Sequence, residues 1–154
     1  MSTMTAAGIY AHESPLLDCF LQLGVAGDRV VSVSFPEDAP EDANDDHPLF
    51  DRVDAYLDGA ADDFDDVAVG LTVPTDQRAV LEAVRNVPYG DRITLDTLLT
   101  MVAERDPEDE ADRQLARTAL AENPVPLFVP DHRVSNAPSG APERVARRLR
   151  ELES

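Results

Sequence analysis

The sequence predicts an α+β protein in two parts: a small sheet-plus-helix unit over residues 1–73 and a helical unit over residues 74–154. Three observations carry this. β-rich runs around a tight turn dominate the start of the chain, capped segments of helical period fill the rest, and the charges divide near the same place. Residues 1–71 hold 16 acidic residues with only Arg29 and Arg52, whereas residues 72–154 hold 15 acidic residues and 11 Arg. The halves are expected to do different jobs, with any anion-binding surface in the second.

In the first half, residues 15–25 and 29–35 are β-rich and joined by Ala26-Gly27-Asp28, the pattern of a hairpin. Residues 36–47 are rich in Pro and Asp with nothing to bury, and are expected to form a mobile acidic loop. Leu49, Val53 and Leu57 then recur at helical spacing, and the apolar run 66–73 either returns to the sheet or links to the next unit.

In the second half, Thr75 is placed to cap a helix whose apolar residues Val80, Leu81, Val84 and Val87 follow the 3.6-residue period. Pro88-Tyr89-Gly90 ends it. Thr94 caps a second helix with Leu95, Leu98, Leu99 and Val102 on one stripe. Asp106-Pro107-Glu108-Asp109 reads as the start of a third: an Asp cap, Pro at the first helical position, then acids against the positive dipole end. That helix runs to about Glu122, and Asn123-Pro124 stops it. Short helices between tight turns suit a helix-turn-helix and, equally, a small helical bundle. The segment 125–134 is too interrupted by proline for a central strand. Residues 142–153 turn Val145, Leu149 and Leu152 inward and Arg144, Arg147, Arg148 and Arg150 outward, a solvated helix face pairing with nearby Glu, with a DNA or phosphate contact as the alternative.

Charge and cysteine bound the function. The chain carries 31 acidic residues against 13 Arg and no Lys, a net charge of −18. Acids spread along the whole chain read as a solvated surface adapted to a salt-rich cytoplasm, where screening acts within a few ångströms; a device that repels nucleic acid or recruits a basic partner is the alternative. On the first reading net charge does not exclude DNA. No apolar run approaches the roughly 20 residues that span a bilayer, and the N-terminus lacks a secretory layout, so no membrane partner and a cytoplasmic location are expected. The one cysteine, Cys19, lies in LLDCFLQL and reads as a small buried hydrophobe. His12, His47 and His132 lack metal-ligand spacing, and no metal site is predicted.

One set of residues carries a resemblance. AYLDG, then TDQRAVLEAVRNVPYGD, then NPVPLFVPDHRV, in this order, is similar to the O6-alkylguanine-DNA alkyltransferase family over about residues 55–135. The most specific piece is the family's Asn-Pro…Pro-Cys-His-Arg-Val block, matched by Asn123-Pro124 and Pro130-Asp131-His132-Arg133-Val134. The resemblance implies a small N-terminal sheet domain and a winged-helix or helix-turn-helix-like alkyltransferase domain. It also implies double-stranded DNA as partner, a flipped alkylguanine, and alkyl transfer to cysteine without a cofactor. Such transfer needs a thiolate activated by a neighbouring His.

Departures from the family pattern bear on that chemistry. Asp131 stands where the cysteine belongs. Gln114 falls where an Arg fills the gap left by the flipped base, and Leu95 where a Tyr helps rotate the nucleotide. The loop after Val134 is short, and Thr75-Asp76-Gln77 lacks the aromatic before Gln. No catalytic residue is therefore expected: Asp131, His132, Arg133 and Asn123 are degenerate active-site positions, the last three bracing the fold. Arg113, Gln114 and Arg117 on the third helix are the expected DNA contacts. The function read from the sequence is a non-catalytic, alkyltransferase-like DNA-binding protein linked to recognition or repair of alkylated DNA. A protein-interaction module that keeps only the scaffold is the alternative, and an altered reaction at Asp131 and His132 a third.

Overall fold

The computed structural model describes residues 8–39, 43–64 and 66–153. Strands β1 (Gly8–Ser14), β2 (Cys19–Ala26) and β3 (Arg29–Ser34) form an antiparallel sheet in that order. The hairpin is β2–β3, turning on Gly27, whose φ of +58° suits a residue without a side chain. β1 is not among the expected strands. Its register runs from Gly8↔Val25 to Ser14↔Cys19, yet Tyr10 and Ala11 are buried in succession. The period-2 signal is broken there, and the strand owes its existence to β2.

Helix α1 (Pro48–Leu57) is capped by His47, whose Nδ1 accepts from Leu49 N–H at 3.1 Å, with Pro48 at the first position. It buries Phe50, Val53, Tyr56 and Leu57, while Leu49 is only half-buried. Residues 40–42 of the acidic loop lie outside the described residues. Its described flanks are tied rather than loose: Ala11 N–H donates to Asn44 O and Asn44 N–H to Ile9 O, at 2.9 and 3.0 Å. The run 66–73 returns to the sheet, with Val30 N–H bonded to Ala68 O and Gly70 N–H to Val30 O, each 2.9 Å.

The helical half comprises α2 (Thr75–Val84), α3 (Leu95–Thr100), α4 (Glu110–Ala121) and α5 (Glu143–Glu153). Val80, Leu81, Val84, Val87, Leu95, Leu98, Leu99 and Val102 are buried as their spacing predicts. Thr94 caps α3 through Oγ1, accepting from Thr97 N–H at 3.1 Å. Two start signals move. Pro74, with no side-chain bond, occupies the cap of α2, and Thr75 is already helical. The cap of α4 is Asp109, not Asp106: its Oδ1 accepts from Ala111 N–H at 2.8 Å. Asp106 instead caps a preceding turn, taking Glu108 N–H at 2.9 Å. Asp is competent at either place, and the choice falls to the contacts that Asp112 makes with Arg105 and Asp106 N–H.

A short parallel pair joins β4 (Ile93–Thr94) to β5 (Val134–Ser135). It sets the turn Asp131–Arg133 beside the start of α3. The halves share one apolar cluster, in which Phe64 meets Phe128 edge-on at 5.2 Å and Tyr56 at 5.4 Å. Burying each such ring is worth roughly 1.5–3 kcal/mol, more than a typical hydrogen bond at about 1 kcal/mol. Apolar packing thus dominates this contact, and the bond from Val33 N–H to Pro124 O at 2.8 Å aligns it. No helix among the described residues is long and apolar enough to cross a membrane.

Candidate functional site

Past α4, Pro124, Pro126 and Pro130 lack N–H groups, so the chain cannot join a ladder. It wraps instead around the Asn123 amide. Oδ1 accepts from Val125 N–H at 2.9 Å, and Nδ2 donates to Val129 O at 3.2 Å and to Asp131 Oδ2 at 3.0 Å. The wrap holds Leu127 at φ +84°, a strained conformation for a branched residue, kept there by burial.

Asp131 is the centre of this knot and only 1% exposed. Its Oδ1 accepts from the Ser139 hydroxyl at 2.6 Å, and its Oδ2 accepts from Gly140 N–H at 2.7 Å as well as from Asn123. Ser139 in turn accepts from Ala141 N–H at 3.0 Å. The approach requires glycine at 140, because a β-carbon there would collide with the Asn123 carbonyl oxygen. Burial pushes the Asp131 carboxyl above its ordinary value, against the pull of Ser139, Gly140, Asn123 and His132. The carboxylate therefore fastens the 136–141 loop and offers no exposed lone pair.

His132 and Arg133 turn the other way, onto Glu153. His132 Nε2 meets Glu153 Oε2 at 2.8 Å, and Arg133 grips both oxygens through Nε at 2.8 Å and a terminal nitrogen at 3.0 Å. The Tyr56 hydroxyl donates to the same carboxylate. Burial alone would raise the Glu153 carboxyl, but the bonds from His132 and Arg133 bring it down to about 2. Arg133 also donates to Val87 O at 2.7 Å and to Asp63 at 3.2 Å, and lies over the Tyr89 ring. The Pro-Tyr-Gly turn, α1 and α5 are thus tied to one ion pair. His132 Nδ1 is a buried atom with no hydrogen-bond partner among the described residues.

The expected DNA contacts lie apart from this network, on α4. Arg113 pairs with Asp96 and donates to Pro107 O at 3.1 Å; Arg117 approaches Glu110 at 3.7 Å. Gln114 is exposed and reaches Thr118 at 3.4 Å. Leu95 is 5% exposed and belongs to the core. Cys19, on β2, is buried, and burial raises its thiol above the ordinary value.

Sequence reasoning missed Glu153, Tyr56 and Ser139. Glu153 had a readable signal: it continues the buried stripe of Val145 and Leu149 at four-residue steps, an acid on an apolar face. Ser139 had none, because its partner is chosen by the loop's path.

Residues 75–153 match the family model described as 6-O-methylguanine DNA methyltransferase, DNA binding domain. A methylated-DNA–protein-cysteine methyltransferase of Methanothermobacter thermautotrophicus is 30% identical over 134 residues, covering 82% of this chain and 71% of that protein. The enzyme of the same name from Methanopyrus kandleri is 36% identical over 88 residues, covering 57% of this chain and 62% of that protein. That from Metallosphaera sedula is 29% identical over 110 residues, covering 70% and 66%. The chain thus spans less than two thirds of the Methanopyrus and Metallosphaera proteins. Among solved structures, the O6-methylguanine methyltransferase of Mycobacterium tuberculosis superposes with a TM-score of 0.69 at 23% identity, covering 95% of this chain and 93% of that one. A DNA complex of that enzyme gives 0.69 at 22%, covering 94% and 91%. The Pyrococcus kodakaraensis O6-methylguanine-DNA methyltransferase gives 0.67 at 19%, covering 96% and 99%. The expected α+β architecture is the one these structures share, and with its whole helical half matching the family model this chain belongs to the 6-O-methylguanine DNA methyltransferase family.

Proposed function

We propose that this chain is a non-catalytic, alkyltransferase-like member of its family that binds double-stranded DNA and serves recognition or repair of alkylated DNA. Residues 74–154 form the DNA-binding domain, with Arg113, Gln114 and Arg117 toward the duplex, and residues 1–73 a supporting domain. The observation that carries the non-catalytic reading is Asp131. At the acceptor position stands a carboxylate, 1% exposed, its oxygens taken by Ser139, Gly140 and Asn123. A carboxylate is a poor nucleophile toward an alkyl ether, and the single thiol, Cys19, is buried on β2. His132 Nδ1 has no nucleophile to deprotonate. DNA binding is supported by the family match and by the Mycobacterium tuberculosis relative solved with DNA.

The deciding experiment titrates the full chain with plain and O6-methylguanine duplexes at two salt concentrations, followed by intact-mass measurement. Binding without a mass increase is expected; a stoichiometric alkyl adduct would overturn the non-catalytic reading. One observation favours a second reading, a protein-interaction module on the same scaffold: Arg113 and Arg117 already face carboxylates, and the segment leading into α4 carries Glu104, Asp106, Glu108 and Asp109. Absence of any duplex affinity at low salt would install that reading. A reaction of altered chemistry at Asp131 and His132 has the burial of both against it.

A further inference from the structure

We propose that the cleft between residues 69–72 and helix α2 is an anion site that binds a phosphate group, held by Arg29, Arg78 and Arg85. The cleft encloses about 520 Å³, the size of a small-ligand site. Arg29 enters it from β3, Arg78 from α2 and Arg85 from the C-terminal cap of that helix, and Asn86 adds an amide. Glu82 is the one carboxylate among its described lining residues, so the cleft is cationic in a chain of net charge −18.

Elsewhere Arg52, Arg105, Arg113, Arg117, Arg133 and Arg150 each have a carboxylate within 4.0 Å, and Arg92 and Arg144 donate to backbone carbonyls. Arg29 and Arg78, both exposed, make no side-chain hydrogen bond or ion pair among the described residues. Their guanidinium groups keep their donors for a ligand. Arg85 is positioned: one terminal nitrogen donates to Phe64 O at 2.7 Å and to Val67 O at 3.0 Å. Gly70 shapes the wall. A β-carbon there would sit 3.7 Å from Arg29 Cβ and 3.8 Å from Arg29 Cδ, so the arginine stem lies directly across the glycine backbone. Guanidinium forks that line one cleft suit the oxygen geometry of phosphate, which accepts paired N–H bonds from each.

The same chemistry could come from a free nucleotide or from the backbone of bound DNA. The experiment therefore uses the full chain with inorganic phosphate, deoxyguanosine monophosphate and a short plain duplex, read by calorimetry and by the amide NMR signals of Gly70, Arg78 and Asn86. Phosphate is expected to shift those signals, and Arg29→Gln and Arg78→Gln each to weaken binding about tenfold, the loss of a charge-assisted hydrogen bond. The control is Arg147→Gln with Arg148→Gln, two exposed α5 arginines that also lack partners among the described residues; it removes twice the charge of either cleft variant and should change nothing. Loss on the nucleotide arm assigns a free nucleotide, and loss on the duplex arm alone assigns the DNA backbone. The site is refuted if no probe shifts the three signals, or if the α5 control weakens binding as much as the cleft variants. The reading of α4 as a DNA contact is tested separately by Arg113 and Arg117, so either can fail without the other.

Discussion

Replacing Glu153 with Gln removes one charge from a buried cluster while keeping its bulk. Glu153 holds Tyr56, His132, and Nε and one terminal nitrogen of Arg133, and the side chains of Glu153 and Arg133 are each 3% exposed. Lowering its carboxyl from 4.5 to about 2 corresponds to roughly 3 kcal/mol at about 1.4 kcal/mol per unit. An independent route agrees: removing one partner of a buried ion pair costs about 3–5 kcal/mol, because the other charge is left uncompensated. For a chain of this length each kcal/mol moves Tm by about 2–4 °C, so Glu153→Gln should melt about 10 °C lower near neutral pH. The pH dependence follows from the direction of the shift. A depressed carboxyl contributes stability that is fully present above 4.5 and drains away as the pH falls toward about 2. The gap between wild type and variant should therefore close over that interval. Circular-dichroism melts across the range measure it. A drop below about 2 °C near neutrality, or a gap that stays constant into acid, would refute the assignment.

Further outcomes follow from the same contacts. Asp131→Ala strands the Ser139, Gly140 and Asn123 donors and should cost about 2 kcal/mol, with faster amide exchange across 136–141; unchanged protection there would mean the loop is held by something else. Asp131→Cys should show little alkyl transfer from O6-methylguanine DNA by mass spectrometry, since Leu95 and Gln114 remain, and rapid stoichiometric transfer would contradict the extent of the proposed degeneration. Asp96→Asn with Glu110→Gln releases Arg113 and Arg117 from their carboxylates. It should tighten duplex binding and steepen the salt slope by up to about two, one unit per freed arginine; an unchanged slope would take α4 out of the interface.

Local chemistry is legible in the chain wherever one segment answers its own question. Thr94 caps α3 because an acceptor three residues ahead of an orphan N–H needs nothing else. The stripes of α2 and α3 need only their 3.6-residue period, and Asn123-Pro124 needs only a side-chain amide and a missing N–H. The resemblance rested on such pieces. Tertiary structure decided what those residues do. Tyr56 reaches Glu153 across 97 positions, and Arg133 reaches Asp63 across 70. No periodicity couples residues so far apart. Asp131 could equally have faced solvent as an open carboxylate; the path of the Ser139-Gly140 loop makes it a buried fastener. Arg113 and Arg117 read from sequence as charges waiting for phosphate, yet α3 and the first turn of α4 bring Asp96 and Glu110 to them. Residue type and spacing determine which groups a segment can offer, whereas the distance to the nearest opposite charge or donor exists only after the chain has packed.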